Sequence, residues 1–314
     1  MFWMCPHRVR LDGEGIGRYC ARLVQGLLQK REDAAVSVVT NYGNAADVTM
    51  LFAAVRAAFP ERLNIIGIDS LSWVNRNVNV DLWIVPYVGL PDAQWLIKPY
   101  VVCVHDLCYV HFPAMRRQPY MAFIDASAKQ LEDKAAAAVF NSDYIRNHDG
   151  IRYLGLPAAK TRVIPLAPPV EEYKAAGLRD EGDFRRQYAL PDNYIVFPSV
   201  IRPTKNHYRL VKAFYNFKQT EEGKRSEVSL VMTDKPGLSR SPAEIAALDA
   251  QFRAQGIYFC QRLPSADVPS LYRYSRGAVV PTLFEGSCPF PILESLIMEK
   301  PVAFSRIEVA RELI

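Results

Sequence analysis

Four short segments of this chain concentrate residue types able to do chemistry. Gly13, Gly15 and Gly17 lead into an amphipathic stretch, so backbone amides there can approach an anion at a helix N-terminus. The spacing is not a dinucleotide fingerprint, because Arg18 stands where the third glycine would be. In residues 101–107 an apolar run ends in His105 and Asp106, an imidazole and a carboxylate at the end of a buried strand. His105 there either serves a substrate hydroxyl, as donor or proton shuttle, or is an internally satisfied structural histidine.

The third segment is Arg202-Pro203-Thr204-Lys205-Asn206, directly after an apolar run. A planar guanidinium and an ammonium three residues apart, at the entry to a helix, suit a diphosphate; otherwise they are two solvated surface cations. The fourth runs from Pro281 to Glu294, where Glu285 and Glu294 bracket a loop stiffened by Pro289 and Pro291. Carboxylates so placed accept hydrogen bonds from vicinal sugar hydroxyls, or else cap and solvate a helix. Cys103, His105, Cys108 and His111 invite a metal reading, but their spacing fits no zinc pattern.

These segments need scaffolding. Short apolar runs fall at 36–40, 63–67, 82–86, 100–105, 136–141 and 162–165, and again at 194–198, 227–233, 257–260, 278–281 and 302–304. Their near-continuous apolarity predicts strands buried on both faces of parallel sheets. Amphipathic stretches at 16–30, 45–58, 120–134, 208–218, 242–255, 267–274 and 291–298 predict the intervening helices. Strand–helix alternation in two blocks implies two doubly wound α/β domains. We place the first at 1–170, a charged linker at 171–192 and the second at 193–314. No opening strand is legible in residues 1–10. The last residues read as the first turn of a helix, so the second domain is expected to be incomplete.

With 314 residues and half of them apolar, the chain can build two cores. Thirty-eight basic against 33 acidic side chains leave +5, spread along the chain, which argues against nucleic-acid binding. Six cysteines without a Cys-x-x-Cys pair predict reduced thiols and a cytoplasmic location. No apolar run approaches the roughly 20 residues that cross a bilayer. The modest basic excess leaves peripheral contact with the inner membrane face as an expectation.

Taken together, the segments resemble glycosyltransferase family 4, the group 1 glycosyl transferases of the GT-B fold. Gly15-Ile16-Gly17-Arg18-Tyr19 is similar to the family's glycine loop, and Val104-His105-Asp106-Leu107 to its HDL stretch. Phe140 to Arg146, followed by Arg162-Val163-Ile164-Pro165, resembles its strand–Ser–helix passage. Arg202 to Asn206 resembles its R-x-x-K-N loop, and Glu285 to Glu294 its E-x7-E loop with one residue more.

The resemblance implies two Rossmann-like domains facing across a cleft. It implies retaining transfer of a hexose from a nucleotide-diphospho-sugar, GDP-mannose or a UDP-sugar, without a metal or other cofactor. The acceptor would be a hydroxyl of a glycan, a lipid-linked sugar or a small molecule, as in polysaccharide biosynthesis. Arg202 and Lys205 would hold the diphosphate, Glu285 the hexose and Glu294 the ribose. His105 would lie beside the transferred sugar. Gly15, Gly17, Asn206, Gly286 and Ser287 would complete donor binding. The added residue before Glu294 leaves a second reading, a non-catalytic or truncated nucleotide-sugar-binding protein.

Overall fold

The computed structural model describes residues 1–5, 15–234, 249–261, 263–287, 289–312 and 314. The chain divides into two units, Met1–Pro165 and Leu166–Ile314.

In the first unit every strand pair is parallel. β1 (Phe2–Trp3), β2 (Val36–Thr40) and β3 (Leu63–Gly67) form one ladder in that order. β4 (Trp83–Val85), β5 (Tyr100–Val104), β6 (Ala137–Phe140) and β7 (Thr161–Val163) form another. Phe2 and Trp83 join β1 to β4 through edge-to-face rings 6.0 Å apart. The opening strand therefore exists, contrary to the sequence reading. Two residues are too few to show a period, and only the burial of Phe2 and Trp3 beside Val39 and Thr40 reveals it.

The helix Gly15–Lys30 turns Gly17, Cys20, Val24 and Leu28 inward, the three- and four-residue steps of one helical face. The helix expected at 45–58 is two pieces, Ala45–Leu51 and Ala53–Ala58. Phe52, fully buried between them, leaves the helical region. The helix Pro119–Lys134 opens on proline, whose missing N–H would have had no partner in a first turn.

The second unit holds a five-stranded parallel sheet: β8 (Tyr194–Phe197), β9 (Ser229–Met232), β10 (Ile257–Phe259), β11 (Gly277–Val280) and β12 (Val302–Phe304). Its spatial order is β10-β9-β8-β11-β12. The chain builds outward from β8 and then returns to its other side, so the winding reverses between β8 and β11. Tyr194 and Val196 pack into a core on one face, Phe197 and Ile195 into a core on the other. That two-sided burial is why the strand reads as an unbroken apolar run.

Residues 171–192 are not a linker. They form the helices Val170–Ala176 and Glu181–Tyr188, and Tyr173, Phe184 and Tyr188 belong to the core of the second unit. Their charged residues hide that role: Arg185 lies flat on Tyr194, 5.5 Å from the ring centre, and pairs with Glu181. Most of the helix expected at 242–255 lies outside the described residues; 249–253 are helical. The five described cysteines carry no disulfide.

Candidate active site

Two groups of residues stand at strand ends, one in each unit. In the second unit they leave the carboxyl ends of β8 and β11, where open α/β sheets form their ligand crevices. After β8 the chain reaches Arg202, whose backbone is extended, then makes the short turn Pro203–Lys205. Asn206 takes a left-handed conformation (φ 62°), and the helix His207–Gln219 begins after it. Asparagine tolerates that region better than most side chains. Its amide donates to the carbonyl of Pro281 at 3.1 Å.

Leu283 N–H donates to the Thr204 carbonyl at 2.8 Å, so this bond and that of Asn206 to Pro281 join the loops after β8 and β11. Across that seam Lys205 forms an ion pair with Glu285, both largely buried. Asp234, just past β9, accepts from Ile201 N–H at 2.8 Å and fixes the approach to Arg202. Arg202 is exposed and makes no ion pair with the described residues. A cation facing solvent, a second held by a carboxylate and the start of a 13-residue helix thus share one short segment. Such a grouping favours an anion.

Gly286 and Ser287 form a bend directly after Glu285, and Cys288 lies outside the described residues. The helix Phe290–Ile297 turns Glu294 inward, where it is 6% exposed and accepts from the Tyr272 hydroxyl at 3.1 Å. Tyr272 is fully buried, and burial together with the Glu294 carboxylate raises its phenol pKa well above the usual range. The phenol therefore stays a donor to that carboxylate.

In the first unit, β5 delivers His105 to its end. The ring's Nδ1 faces the Asn141 amide oxygen Oδ1 and its Nε2 the Pro86 carbonyl oxygen, each at 2.9 Å. Burial lowers the pKa of His105, which favours the neutral ring. A neutral ring carries a single N–H, so it donates to one of these two oxygens at a time, while the Asn141 NH2 donates to the Ile164 carbonyl at 3.4 Å. The Tyr19 ring packs edge-on against His105 at 4.7 Å, and its hydroxyl lies 3.3 Å from Cys103 Sγ. Tyr19 sits in the first turns of the helix that Gly15 opens, so the glycine segment and His105 come together. Gly13 lies outside the described residues.

Asn141, Tyr272, Asp234 and His207 hold roles that no short motif or spacing announces. Buried His207 bonds the Ser199 carbonyl at 3.3 Å and packs on Phe197, backing the cationic loop. Each acts on a segment distant in sequence, and no spacing rule links such partners. Buried polar side chains in otherwise apolar elements were the available signal.

Residues 180–314 match the family of glycosyl transferases group 1. A comparison with curated proteins gives no match. Among solved structures, HepE of Anabaena in complex with UDP and glucose aligns with 100% of this chain and 82% of its own, at 17% identity and a TM-score of 0.66. A glycosyltransferase of Rickettsia africae aligns over 96% and 78%, at 17% identity and 0.64. Sucrose-phosphate synthase of Thermosynechococcus elongatus aligns over 94% and 76%, at 14% identity and 0.58. The fold is GT-B, an α/β architecture of parallel sheets.

Proposed function

We propose that this chain, whose second unit belongs to the glycosyl transferases group 1, moves a hexose from a nucleotide-diphospho-sugar to an acceptor hydroxyl with retention of configuration. The observation that carries this reading is the Lys205–Glu285 pair at the reversal between β8 and β11. It joins a group suited to diphosphate with one suited to sugar hydroxyls.

As the bond between the anomeric carbon and the phosphate oxygen breaks, negative charge collects on the departing diphosphate. Arg202, Lys205 and the amides opening the helix His207–Gln219 face that charge as it grows, which is worth most where water is excluded. Before the donor arrives Glu285 neutralises Lys205. With donor bound, Lys205 turns to the diphosphate and Glu285 accepts from the hexose. Glu294, aligned by Tyr272, accepts from the ribose.

The reaction needs no metal. A UDP-sugar is the first donor to try, given the UDP and glucose bound in the HepE structure, with GDP-mannose next. The acceptor is a glycan, lipid-linked or small-molecule hydroxyl, consistent with polysaccharide assembly at the cytoplasmic face of a membrane. Among the described residues no helix is long and apolar enough to cross one. Sedimentation with anionic vesicles tests peripheral contact, and full recovery in the supernatant counts against it.

A thermal-shift screen against UDP-, GDP- and ADP-sugars tests the reading, since a specific donor raises the melting temperature by mass action. Transfer is then measured with Arg202→Ala, expected to be slower by about 10²-fold. Unchanged turnover in that variant rejects the assignment of Arg202. Donor binding without any transfer identifies a nucleotide-sugar-binding protein instead.

A further inference from the structure

Sugar transfer leaves one cluster in the first unit unused. His111 ends the short helix Cys108–His111, and His148 and Asp149 are neighbours in the helix Arg146–Tyr153. The latter is a π-helix, a wide form in which Leu154 N–H reaches back five residues to the Asp149 carbonyl at 3.0 Å. Such turns are rare and gather at functional sites. His111 Nε2 lies 2.7 Å from Asp149 Oδ1, and His148 Nδ1 lies 2.9 Å from the same oxygen. Asp149 is fully buried, and its other oxygen accepts from Leu107 N–H at 2.9 Å.

From this geometry we infer that His111, His148 and Asp149 bind one divalent transition-metal ion of the zinc class. Two imidazoles and a carboxylate are a donor set that such ions take, with water completing a tetrahedron. The three ligand atoms all lie within 4.8 Å of one another. Bonds of about 2.1 Å at tetrahedral angles set donors about 3.4 Å apart. The two N···O contacts therefore open by roughly 0.5–0.7 Å and the two nitrogens close by up to roughly 1.4 Å, which side-chain rotation of the partly exposed His148 can supply.

The ligands are also held in place. The two imidazoles stack with centres 4.5 Å apart, and Tyr144 stacks on His148 at 5.5 Å. The Leu107 amide orients the carboxylate, as outer-sphere hydrogen bonds do for ligating groups. The side chain of His148 is 30% exposed and that of His111 12%, which gives an ion a way in. To take the ion, each ring gives up the proton that its nitrogen now donates to Asp149 and carries its remaining proton on the other nitrogen. Because Leu107 follows His105 and Asp106, a bound ion stiffens the strand-end segment that carries His105.

The test uses the full chain without an affinity tag, stripped with chelator and titrated with Zn2+ alone in a calorimeter. The expected result is saturable binding of one ion and a rise in melting temperature. Co2+ in its place should give the intense visible absorption of a four-coordinate site. His148→Ala, at a partly exposed position, should weaken Zn2+ more than the about 10- to 100-fold that follows loss of an outer partner. Asp149→Asn, which keeps an oxygen for Leu107, should weaken it likewise, and circular dichroism confirms that both variants fold. Cys108→Ser should bind as the parent does. Absence of saturable binding overturns the site, as does parental affinity in His148→Ala or loss of binding in Cys108→Ser.

Discussion

Lys205 and Glu285, 80 residues apart in sequence, meet in a largely buried ion pair between the loops that follow β8 and β11. Neither side chain alone distinguishes a functional loop from a solvated one. Their pairing falls where the sheet reverses its winding, the place where open α/β sheets form ligand crevices. Removing either partner leaves the other's charge partly buried and uncompensated, which is costly.

Lys205→Ala should therefore reduce transfer by about 10²- to 10³-fold through lost stabilisation of the diphosphate. Glu285→Gln keeps the size of the side chain but frees Lys205, so donor binding should persist while turnover falls. Steady-state kinetics with the donor found by thermal shift separates the two effects. Equal kcat in Lys205→Ala and the parent would falsify the proposed role.

Asn206 combines a left-handed backbone with a bond to Pro281. Asn206→Ala should lose both, at a cost of about 1–3 kcal/mol. Asn206→Gly removes only the bond and should recover part of that loss. Denaturant melts of the two variants give the order, and an alanine variant as stable as the glycine one would contradict it.

The Tyr272 hydroxyl holds Glu294 in a buried site. Tyr272→Phe removes one donor from that carboxylate and should destabilise the fold by about 1–3 kcal/mol. If Glu294 receives the ribose, the donor KM should rise with little change in kcat. A variant that lost stability with an unchanged donor KM would make the Tyr272–Glu294 bond purely structural.

Glu132, on the helix Pro119–Lys134, is buried with neither carboxylate oxygen hydrogen-bonded. Burial, reinforced by Asp133 and Asp125, pushes its pKa from 4.5 up to about 8. The folded chain thus keeps a proton that the unfolded chain gives up near 4.5. This contribution to stability is complete below pH 4.5 and is lost as pH rises to about 8, at roughly 1.4 kcal/mol per pH unit. Glu132→Gln should raise the melting temperature clearly at about pH 8 and little near pH 5. The same gain at both values would show a carboxylate already solvated.

Much of this was legible in sequence because it is local. The strand β8 announces itself through two-sided burial, and Arg202 to Asn206 through a turn placed just before a helix. What could not be read depends on partners brought close by folding. Phe2 and Trp3 form a strand only beside Val39 and Thr40. Tyr173 and Phe184 enter a core from segments whose charge suggested a linker. The partners of His105, at Pro86 and Asn141, come from the ends of two other strands. Hydrophobic period reports which face of an element is inside; it does not name the neighbour across the gap.

Because β8 and β11 are adjacent strands, the distance between the two loops they launch follows from the ladder, about 4.8 Å from strand to strand. Chemical novelty can then be introduced by transplanting loop sequences from other transferases, with the anchoring strands left untouched. A library varied at 199–201, 203–204 and 286–287 would sample new donors on an unaltered chassis, provided Arg202, Lys205, Asn206 and Glu285 are retained.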